Sequence, residues 1–178
     1  MSDDQPFRIM TVCTGNICRS PMALVVLRDR LDAAGLGEKV LVDSTGISDE
    51  EHGNPIDRRA ARVLKANGYD VPRHRARRVH AGELAEQDLV LAMTSAHSRA
   101  LRRIAGDAAV LDGRLRMFRS FDPDAPVDGP EHELDVDDPW YGDQAGFEVT
   151  LAEIEAAADG IVDHVRGELV ARGLLAAD

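Results

Sequence analysis

Hydrophobic residues along this chain follow two different periods, and stretches with the two periods alternate. Short apolar runs of strand length are separated by stretches in which apolar residues recur every three or four positions, the spacing of an amphipathic helix. Strands are predicted at Arg8–Val12, Lys39–Asp43 and Asp88–Met93, with further short candidates at Ala108–Leu111 and Leu115–Phe118. Helices are predicted from Ser20 to the stop at Gly35, over Pro55–Asn67, over Ser95–Ile104 and over Phe147–Leu169.

This alternation of strands and helices indicates an α/β fold. Such a pattern builds a parallel sheet with helices on both faces, and it gathers loops at the carboxyl ends of the strands, where open α/β sheets bind ligands. The run 88–93 is almost continuously apolar, as a strand buried on both faces requires. A chain of 178 residues is long enough for one well-buried core, so we expect a single domain over residues 1–178 with short tails at both ends.

Composition narrows the class of protein. Hydrophobic residues make up 44% of the chain and charged residues 30%, which excludes wholesale disorder. No apolar run approaches the roughly 18 residues of a membrane span, and the N-terminus lacks the basic segment of a signal peptide, so we expect a cytoplasmic protein. The net charge of -11 argues against nucleic acid or an anionic membrane surface as a partner.

The charge is unevenly distributed along the chain. Residues 58–119 carry a net charge of +8, whereas residues 122–143 carry -9 and contain neither Lys nor Arg. Four prolines within 122–143 disfavour a regular helix or strand, so this segment is expected to be a long acidic loop within the domain. Loops of this length are usually functional or disordered, and both alternatives are open.

The two cysteines of the chain, Cys13 and Cys18, lie in the segment between the first strand and the first helix. A turn from a strand into a helix directs backbone N–H groups and the positive helix end at one point, which makes an anion site. A cysteine beside a helix N-terminus and a guanidinium is favoured as the thiolate. Cys13 is therefore the expected nucleophile, and the two-donor fork of Arg19 is the expected phosphate ligand. The other phosphate-binding candidates are Thr14, Gly15, Asn16, Ile17, Cys18 and Ser20.

Three residues of this segment have specific expected tasks. Gly15 permits close approach of the backbone to an anion, and Asn16 tolerates the left-handed conformation with which the segment would curl. Ser20 is expected to cap the helix and to donate a hydrogen bond to the leaving thiolate. Each residue alone has an ordinary alternative, such as a turn or a helix start, but together and directly after a strand they favour phosphate chemistry.

The stretch VCTGNICRSPMA resembles the signature loop of the low-molecular-weight protein tyrosine phosphatases, in particular bacterial-type members. The resemblance implies a three-layer α/β sandwich with a four-stranded parallel sheet of order 2-1-3-4, helices on both faces and a phosphate loop after strand 1. Four further motifs follow in the order of that family: DSTG at 43–46, GNPID at 53–57, HRAR at 74–77 and DPWYG at 138–142.

The resemblance also implies a reaction. The substrate would be a phosphotyrosine-containing protein or a small aryl phosphate, hydrolysed through a phosphocysteine intermediate by a monomer or weak dimer, with no metal and no other cofactor. Cys13 would attack phosphorus while Arg19 and the loop amides hold the remaining phosphate oxygens. Asp138 would protonate the leaving phenolate and then act as base on water, with neighbouring Asp137 as the alternative acid.

Supporting roles follow from the same resemblance. In the family, residues at the positions of Asn16, Ser20, Ser44 and His74 support the phosphate loop through hydrogen bonds. Cys18 matches a second loop cysteine that in many relatives pairs with the nucleophile and protects it from irreversible oxidation. Inert packing is the alternative for Cys18.

Two positions depart from the family pattern. Glu50 stands where many members have Trp on the wall facing the substrate ring, so it should repel anionic substrates and favour basic flanking sequences. Trp140, where Tyr is common, would compensate from the other wall, beside Tyr141. Thr94 stands where Asp is frequent after the third strand, and we expect a minor effect on support of the loop.

Three other functions fit parts of the pattern. Arsenate reductases of the same fold need further cysteines downstream, and this chain has none after Cys18. Phosphoarginine phosphatases resemble the loop but have Thr at the position of Ile17, whose apolar side chain suits an aryl ester better. Cysteine-phosphorylated carrier proteins hold phosphate without hydrolysing it, and they are not expected to keep both Arg19 and Asp138.

Overall fold

Four parallel strands form one sheet in the order β2-β1-β3-β4 in this computed structural model, which describes residues 5–176. Because every strand runs in the same direction, helices and loops must cross back over the faces of the sheet. The strands are β1 (Phe7–Cys13), β2 (Val40–Gly46), β3 (Leu89–Ala92) and β4 (Leu115–Met117). The helices are α1 (Arg19–Ala33), α2 (Arg58–Ala66), α3 (Ala81–Ala85), α4 (Ser95–Ala105) and α5 (Gln144–Ala171).

Both faces of the sheet are covered, which confirms the predicted three-layer sandwich and strand order. Side chains of β1 alternate between the two cores: Phe7 and Ile9 pack on the side of α1, α2 and α5, whereas Met10 and Val12 pack on the side of α3 and α4. β1 pairs with β2 on one side and β3 on the other, so the loop after Cys13 leaves from the middle of the sheet. That position is the usual ligand site of an open parallel sheet.

Several predicted boundaries are wrong. Ala108–Leu111 forms a 3₁₀ turn and not a strand, because the Asp107 carboxylate accepts from Ala109 N and starts the turn. The last strand ends at Met117, and a second 3₁₀ turn follows it. α2 begins at Arg58, because the Asp57 side chain caps it by accepting from Arg59 N. The short helix α3 was not predicted at all.

The acidic loop is irregular, as predicted, apart from short 3₁₀ turns at Glu131–Leu134 and Pro139–Tyr141. It is fixed to the carboxyl end of β3, since Val136 N donates to Met93 O at 2.8 Å. The Asp135 carboxylate accepts from Ser95 N at 2.6 Å, where the positive N-terminus of α4 stabilises a negative charge. The loop is therefore anchored to the sheet, which excludes the disordered alternative.

Two predictions concern the whole chain. The predicted tails include residues 1–4 and 177–178, which lie outside the described residues. A single domain over residues 1–178 stays a prediction. Within residues 5–176, no helix is both long enough and apolar enough to cross a membrane.

Candidate active site

The segment 14–18 turns the chain from the end of β1 into the first turn of α1. Asn16 adopts a φ of 61°, the left-handed conformation expected of it, and it is the one non-glycine residue among 5–176 with positive φ. α1 begins at Arg19, so Ser20 lies inside the first turn and does not cap the helix. The N-cap position belongs to Cys18, which makes no side-chain capping bond. The predicted capping role of Ser20 is therefore wrong.

Asn16 is the centre of a buried hydrogen-bond network that holds the turn. Its amide donates to Ser20 Oγ and to Ser44 Oγ, both at 3.0 Å, and its Oδ1 accepts from Arg77 N at 3.0 Å. Its main-chain carbonyl accepts from His74 Nε2 at 2.6 Å, which fixes the ring proton on that nitrogen. Burial lowers the pKa of His74, although the Asn16 bond opposes the shift, so a neutral ring is favoured.

The structure thus brings together the four residues that the sequence assigned to loop support, and it adds two that the sequence did not. Arg77 contributes its main-chain N–H, which no side-chain pattern can reveal. Gly46, opposite Cys13 in the register of β2, is packed against the turn: a Cβ there would collide with the Thr14 carbonyl and crowd Asn16.

Cys13 ends β1 with its side chain buried, and its Sγ lies 3.0 Å from Ser20 Oγ. Ser20 Oγ also donates to Thr45 O at 3.1 Å. A hydroxyl has one proton, so Ser20 serves the Thr45 carbonyl while Cys13 is a thiol and can turn to the sulfur when Cys13 is a thiolate. This geometry suits the expected donation from Ser20 to a leaving sulfur.

Cys18 is chemically different from Cys13. Both cysteines are free. Burial raises the pKa of the Cys18 thiol well above its usual range, and the carboxylate of Asp57 raises it further. A thiol held protonated in this way is a poor nucleophile, so Cys18 is not a competing attacking group. Its predicted redox role stays a prediction.

Arg19 is almost fully buried and faces the acidic loop. Its Nη1 donates to Val136 O at 3.0 Å, and its Nη2 donates to Asp138 Oδ2 at 3.0 Å. Nε of Arg19 is buried and has no hydrogen-bond partner among the described residues. A bound oxyanion could accept from both Nε, which has no partner within residues 5–176, and Nη2, which could exchange Asp138 for it.

Asp138 is held from two sides. Its Oδ1 accepts from Trp140 N at 3.1 Å and thereby caps the 3₁₀ turn that begins at Pro139, while its Oδ2 contacts Arg19. Asp137 is exposed and does not line the cleft. Of the two candidate acids, the geometry therefore supports Asp138.

Cys13 and Asp138 line one cleft of about 110 Å³. The predicted wall residues Glu50, Trp140 and Tyr141 all contribute to it, and so does Glu51, which the sequence did not single out. The Cγ of Glu51 lies over the backbone of Gly15, where a Cβ would come within 3.0 Å of it. The remaining lining residues are Thr14, Gly15, Ile17, Cys18 and Arg19.

A larger cavity of about 720 Å³ lies at the opposite end of the sheet, beside the amino ends of β1 and β2. Gln5, Lys39 and Leu174 are among its described lining residues, which include no Cys, His or Arg. Size alone therefore does not identify the site, and the chemistry points to the smaller cleft. Within residues 5–176, no group of three or more His, Cys, Asp or Glu side chains is arranged to hold a metal ion.

Arg59, at the start of α2, holds the acidic loop on the far side of Asp138. Its Nη1 donates to Trp140 O at 3.3 Å and to Gly142 O at 3.1 Å, while its Nε and Nη2 contact the Asp57 carboxylate. Its guanidinium lies 4.6 Å from the ring centre of Phe147. The sequence gives no signal for this residue because its partners are main-chain carbonyls about 80 positions away.

The site defines a class of protein, the enzymes that transfer phosphate to a cysteine. It combines a cysteine at the base of a phosphate-sized turn, a buried arginine and an opposing carboxylate, all at one edge of a parallel sheet. Comparison with known proteins agrees. The family model "Low molecular weight phosphotyrosine protein phosphatase" matches residues 8–171. "Low molecular weight protein-tyrosine phosphatase A" of Mycobacterium bovis is 44% identical over 173 residues, covering 97% of this chain and 99% of the relative. This chain belongs to the low molecular weight phosphotyrosine protein phosphatase family.

Solved structures agree with that assignment. YfkJ from Bacillus subtilis superposes with a TM-score of 0.83 at 28% identity, covering 94% of this chain and 99% of its own. Wzb from Vibrio vulnificus, solved in complex with benzylphosphonate, superposes with a TM-score of 0.72 at 30% identity, covering 89% of this chain and 98% of its own.

Proposed function

We propose that this protein hydrolyses phosphotyrosine and related aryl phosphate monoesters through a phosphocysteine on Cys13. The observation that carries the proposal is the convergence of Cys13, Arg19 and Asp138 on one small cleft, with Arg19 Nη2 only 3.0 Å from Asp138 Oδ2. Family membership supports the same reaction. The benzylphosphonate in the related Wzb structure has the shape of an aryl phosphate analogue, which supports this substrate class.

In the first step the substrate phosphate enters the turn and takes Arg19 Nη2 and Nε as ligands, while Nη1 stays on Val136 O. A dianion competes with the Asp138 carboxylate for Nη2, so binding releases Asp138 towards the leaving oxygen. Cys13 Sγ forms the S–P bond as the P–O bond to the aryl group breaks. Asp138 takes up a proton from solvent once it has left Arg19, and it delivers that proton to the departing phenolate oxygen while Cys13 attacks as the thiolate.

In the second step water attacks the phosphocysteine. Asp138, now a carboxylate, takes a proton from that water as the new P–O bond forms and the S–P bond breaks. The Ser20 hydroxyl turns from Thr45 O to the departing sulfur and stabilises the thiolate. Inorganic phosphate then leaves, and Arg19 returns to Asp138.

A panel of three peptides with one sequence, carrying phosphotyrosine, phosphoserine or phosphoarginine, tests this function. We expect turnover of phosphotyrosine to exceed that of the other two, because Ile17 and Trp140 line the cleft with apolar surface that suits a ring. Preference for phosphoarginine would contradict the proposal, and so would the absence of turnover with all three peptides.

The two acidic wall residues, Glu50 and Glu51, should give the enzyme a charge preference. We expect phosphotyrosine peptides with basic flanking residues to have a kcat/KM about 3- to 10-fold higher than peptides with acidic flanks, since exposed charge pairs each contribute on the order of 1 kcal/mol or less. The preference should shrink as salt is added. The measurement is kcat/KM for paired peptides at two salt concentrations.

The matched variants are the double substitution Glu50→Gln, Glu51→Gln and the control Glu38→Gln, which lies at the larger cavity at the opposite end of the sheet. The double variant should lose most of the preference, and the control should keep it. Equal turnover of basic and acidic peptides by the wild type would show that the wall charges do not select substrates.

Arg59 should act on catalysis through the acidic loop. We expect Arg59→Ala to slow hydrolysis of esters with poorly acidic phenols by about tenfold and to leave esters of acidic phenols nearly unchanged. Its loss frees the carbonyls of Trp140 and Gly142 and loosens the loop that aims Asp138. The measurement is kcat/KM, which reports the phosphorylation step, across a series of aryl phosphates with phenols of graded acidity.

Arg58→Ala is the matched control, because Arg58 is the exposed neighbour and makes no side-chain hydrogen bond within the part of the chain that the structure describes. It should match the wild type across the series. An Arg59→Ala variant that loses the same factor with every phenol would indicate a general structural effect and not a role in aiming the acid.

A further inference from the structure

His97 is a buried histidine that the reaction described above does not use. It lies in the first turn of α4 with 3% of its surface exposed, and its Nε2 is 2.8 Å from Thr14 Oγ1 in the phosphate-binding turn. Its other ring nitrogen, Nδ1, is buried without a hydrogen-bond partner. Thr94 caps α4 by accepting from His97 N, and the side chain of His97 links α4 to the turn through Thr14.

The ring of His97 is neutral at physiological pH. Burial, with a smaller contribution from the positive charge of Arg19, lowers the pKa of His97 to about 3. A neutral imidazole carries one proton, which lies on either Nδ1 or Nε2. On Nδ1 the proton would be a buried donor with no acceptor, which is the more costly kind of unpaired group. On Nε2 it forms a bond with Thr14 and leaves an unpaired lone pair, which is tolerated better.

This tautomer determines what the Thr14 hydroxyl can do. Thr14 Oγ1 accepts from His97 Nε2 and, at the longer distance of 3.5 Å, from Arg19 Nη2. Because His97 Nε2 and Arg19 Nη2 both donate, neither of them can accept the hydroxyl proton of Thr14. Thr14 is exposed and lines the cleft together with Cys13 and Arg19. An oxygen of a phosphate bound there would be the natural acceptor for that proton.

We propose that His97 is a positioning residue that aims the hydroxyl proton of Thr14 into the cleft, where it donates to an oxygen of the bound phosphate. This inference rests on the proposed function for the identity of the ligand. It assigns a side-chain donor to the turn in addition to Arg19, and it explains why a neutral histidine is buried behind a phosphate site.

Binding of inorganic phosphate, followed by NMR titration without any turnover, is the first test. Thr14→Val removes the hydroxyl at nearly constant shape, and we expect it to weaken phosphate binding about tenfold, as for a hydrogen bond to a charged group. Thr14→Ser keeps the hydroxyl and should bind within about twofold of the wild type. Thr14→Val also removes the partner of the buried His97 Nε2, so the unfolding temperatures of both variants are compared with that of the wild type.

The second pair of variants tests whether His97 acts through Thr14. His97→Leu should weaken binding by about the same factor as Thr14→Val, whereas His97→Gln places an amide N–H near the position of Nε2 and should restore most of it. In the double variant with Thr14→Val, His97→Leu should add little further loss, because both remove one interaction. If the loss of phosphate affinity in the double variant is the product of the two single losses, His97 does not act through Thr14 and the inference is wrong.

A nitrogen-15 NMR spectrum of the wild-type histidines tests the tautomer directly. We expect the proton of His97 on Nε2. A proton on Nδ1, or phosphate affinity unchanged in Thr14→Val, would overturn the inference. Neither measurement needs hydrolysis. Failure of the proposed function would appear separately, as wild-type protein that does not turn over aryl phosphates.

Discussion

Cys13→Ser is expected to reduce turnover of any aryl phosphate by at least about 10⁴-fold while leaving the fold intact. The serine hydroxyl fits the space of the thiol, but it does not ionise near neutral pH, and neither Arg19 nor the turn can replace a missing S–P bond. The measurement is single-turnover and steady-state hydrolysis of a chromogenic aryl phosphate.

Binding of inorganic phosphate is the control for Cys13→Ser. Arg19 and the turn remain in place, so the variant should still bind phosphate and should unfold at a similar temperature. Residual turnover close to that of the wild type would mean that another group is the nucleophile. Loss of phosphate binding would mean that the substitution damaged the turn, and Cys13→Ala would then be the variant to compare.

Asp138→Asn is expected to slow phosphorylation of Cys13 by about 10²- to 10⁴-fold when the leaving phenol is weakly acidic, as in phosphotyrosine, and far less when it is strongly acidic. An amide cannot donate a proton to the phenolate, and an acidic phenol does not need one. The amide can still accept from Trp140 N, so the turn at Pro139 should persist. The measurement is the dependence of kcat/KM, which reports the phosphorylation step, on the acidity of the phenol.

Asp137→Asn is the matched control for the acid, because Asp137 is the exposed neighbour and does not line the cleft. It should follow the wild-type dependence on the phenol. Equal losses for all leaving groups in Asp138→Asn would remove that residue from the role of acid. A steep dependence in Asp137→Asn would transfer the role to Asp137.

Hydrophobic periodicity is sufficient to predict the strands of the sheet and the long helices. β1, β3 and α5 are long or apolar enough that only one structure buries their side chains, and the predicted stripe of α5 from Phe147 to Leu169 is buried. Ala108–Leu111 was misassigned because four apolar residues fit a strand or a turn equally well. The capping carboxylate of Asp107 decides between them.

The residues of the candidate site also fall into two groups, those that the sequence reveals and those that it does not. Cys13, Arg19 and the turn between them are contiguous, so their spacing alone indicates an anion site, and Asp138 was accessible only through its motif. Arg59 and His97 reach the site across distances in sequence of 81 and 83 residues, through a main-chain carbonyl and a threonine hydroxyl. Contacts of this kind depend on tertiary packing and leave no local pattern in a single sequence.

The net charge of the acidic loop does not describe its surroundings, because it leaves out the arginines that pack against the loop. Its negative side chains suggest repulsion from an anionic substrate, but three arginines from outside the loop bind its main-chain carbonyls. Arg119 donates to Glu133 O and Asp135 O, in addition to the contacts of Arg19 and Arg59 on either side of Asp138. The loop that carries Asp138 is therefore held by three arginines, of which Arg19 also lines the cleft.

Trapping of the phosphoenzyme tests the central claim most directly. In Asp138→Asn, an ester of a strongly acidic phenol should still phosphorylate Cys13, whereas release by water lacks its base and is slow, so the intermediate accumulates. Rapid denaturation followed by mass spectrometry should place one phosphate on the peptide that contains Cys13, at a level that rises as phenol is released. Absence of a phosphopeptide while phenol is released, or phosphate on any other residue, would contradict hydrolysis through Cys13.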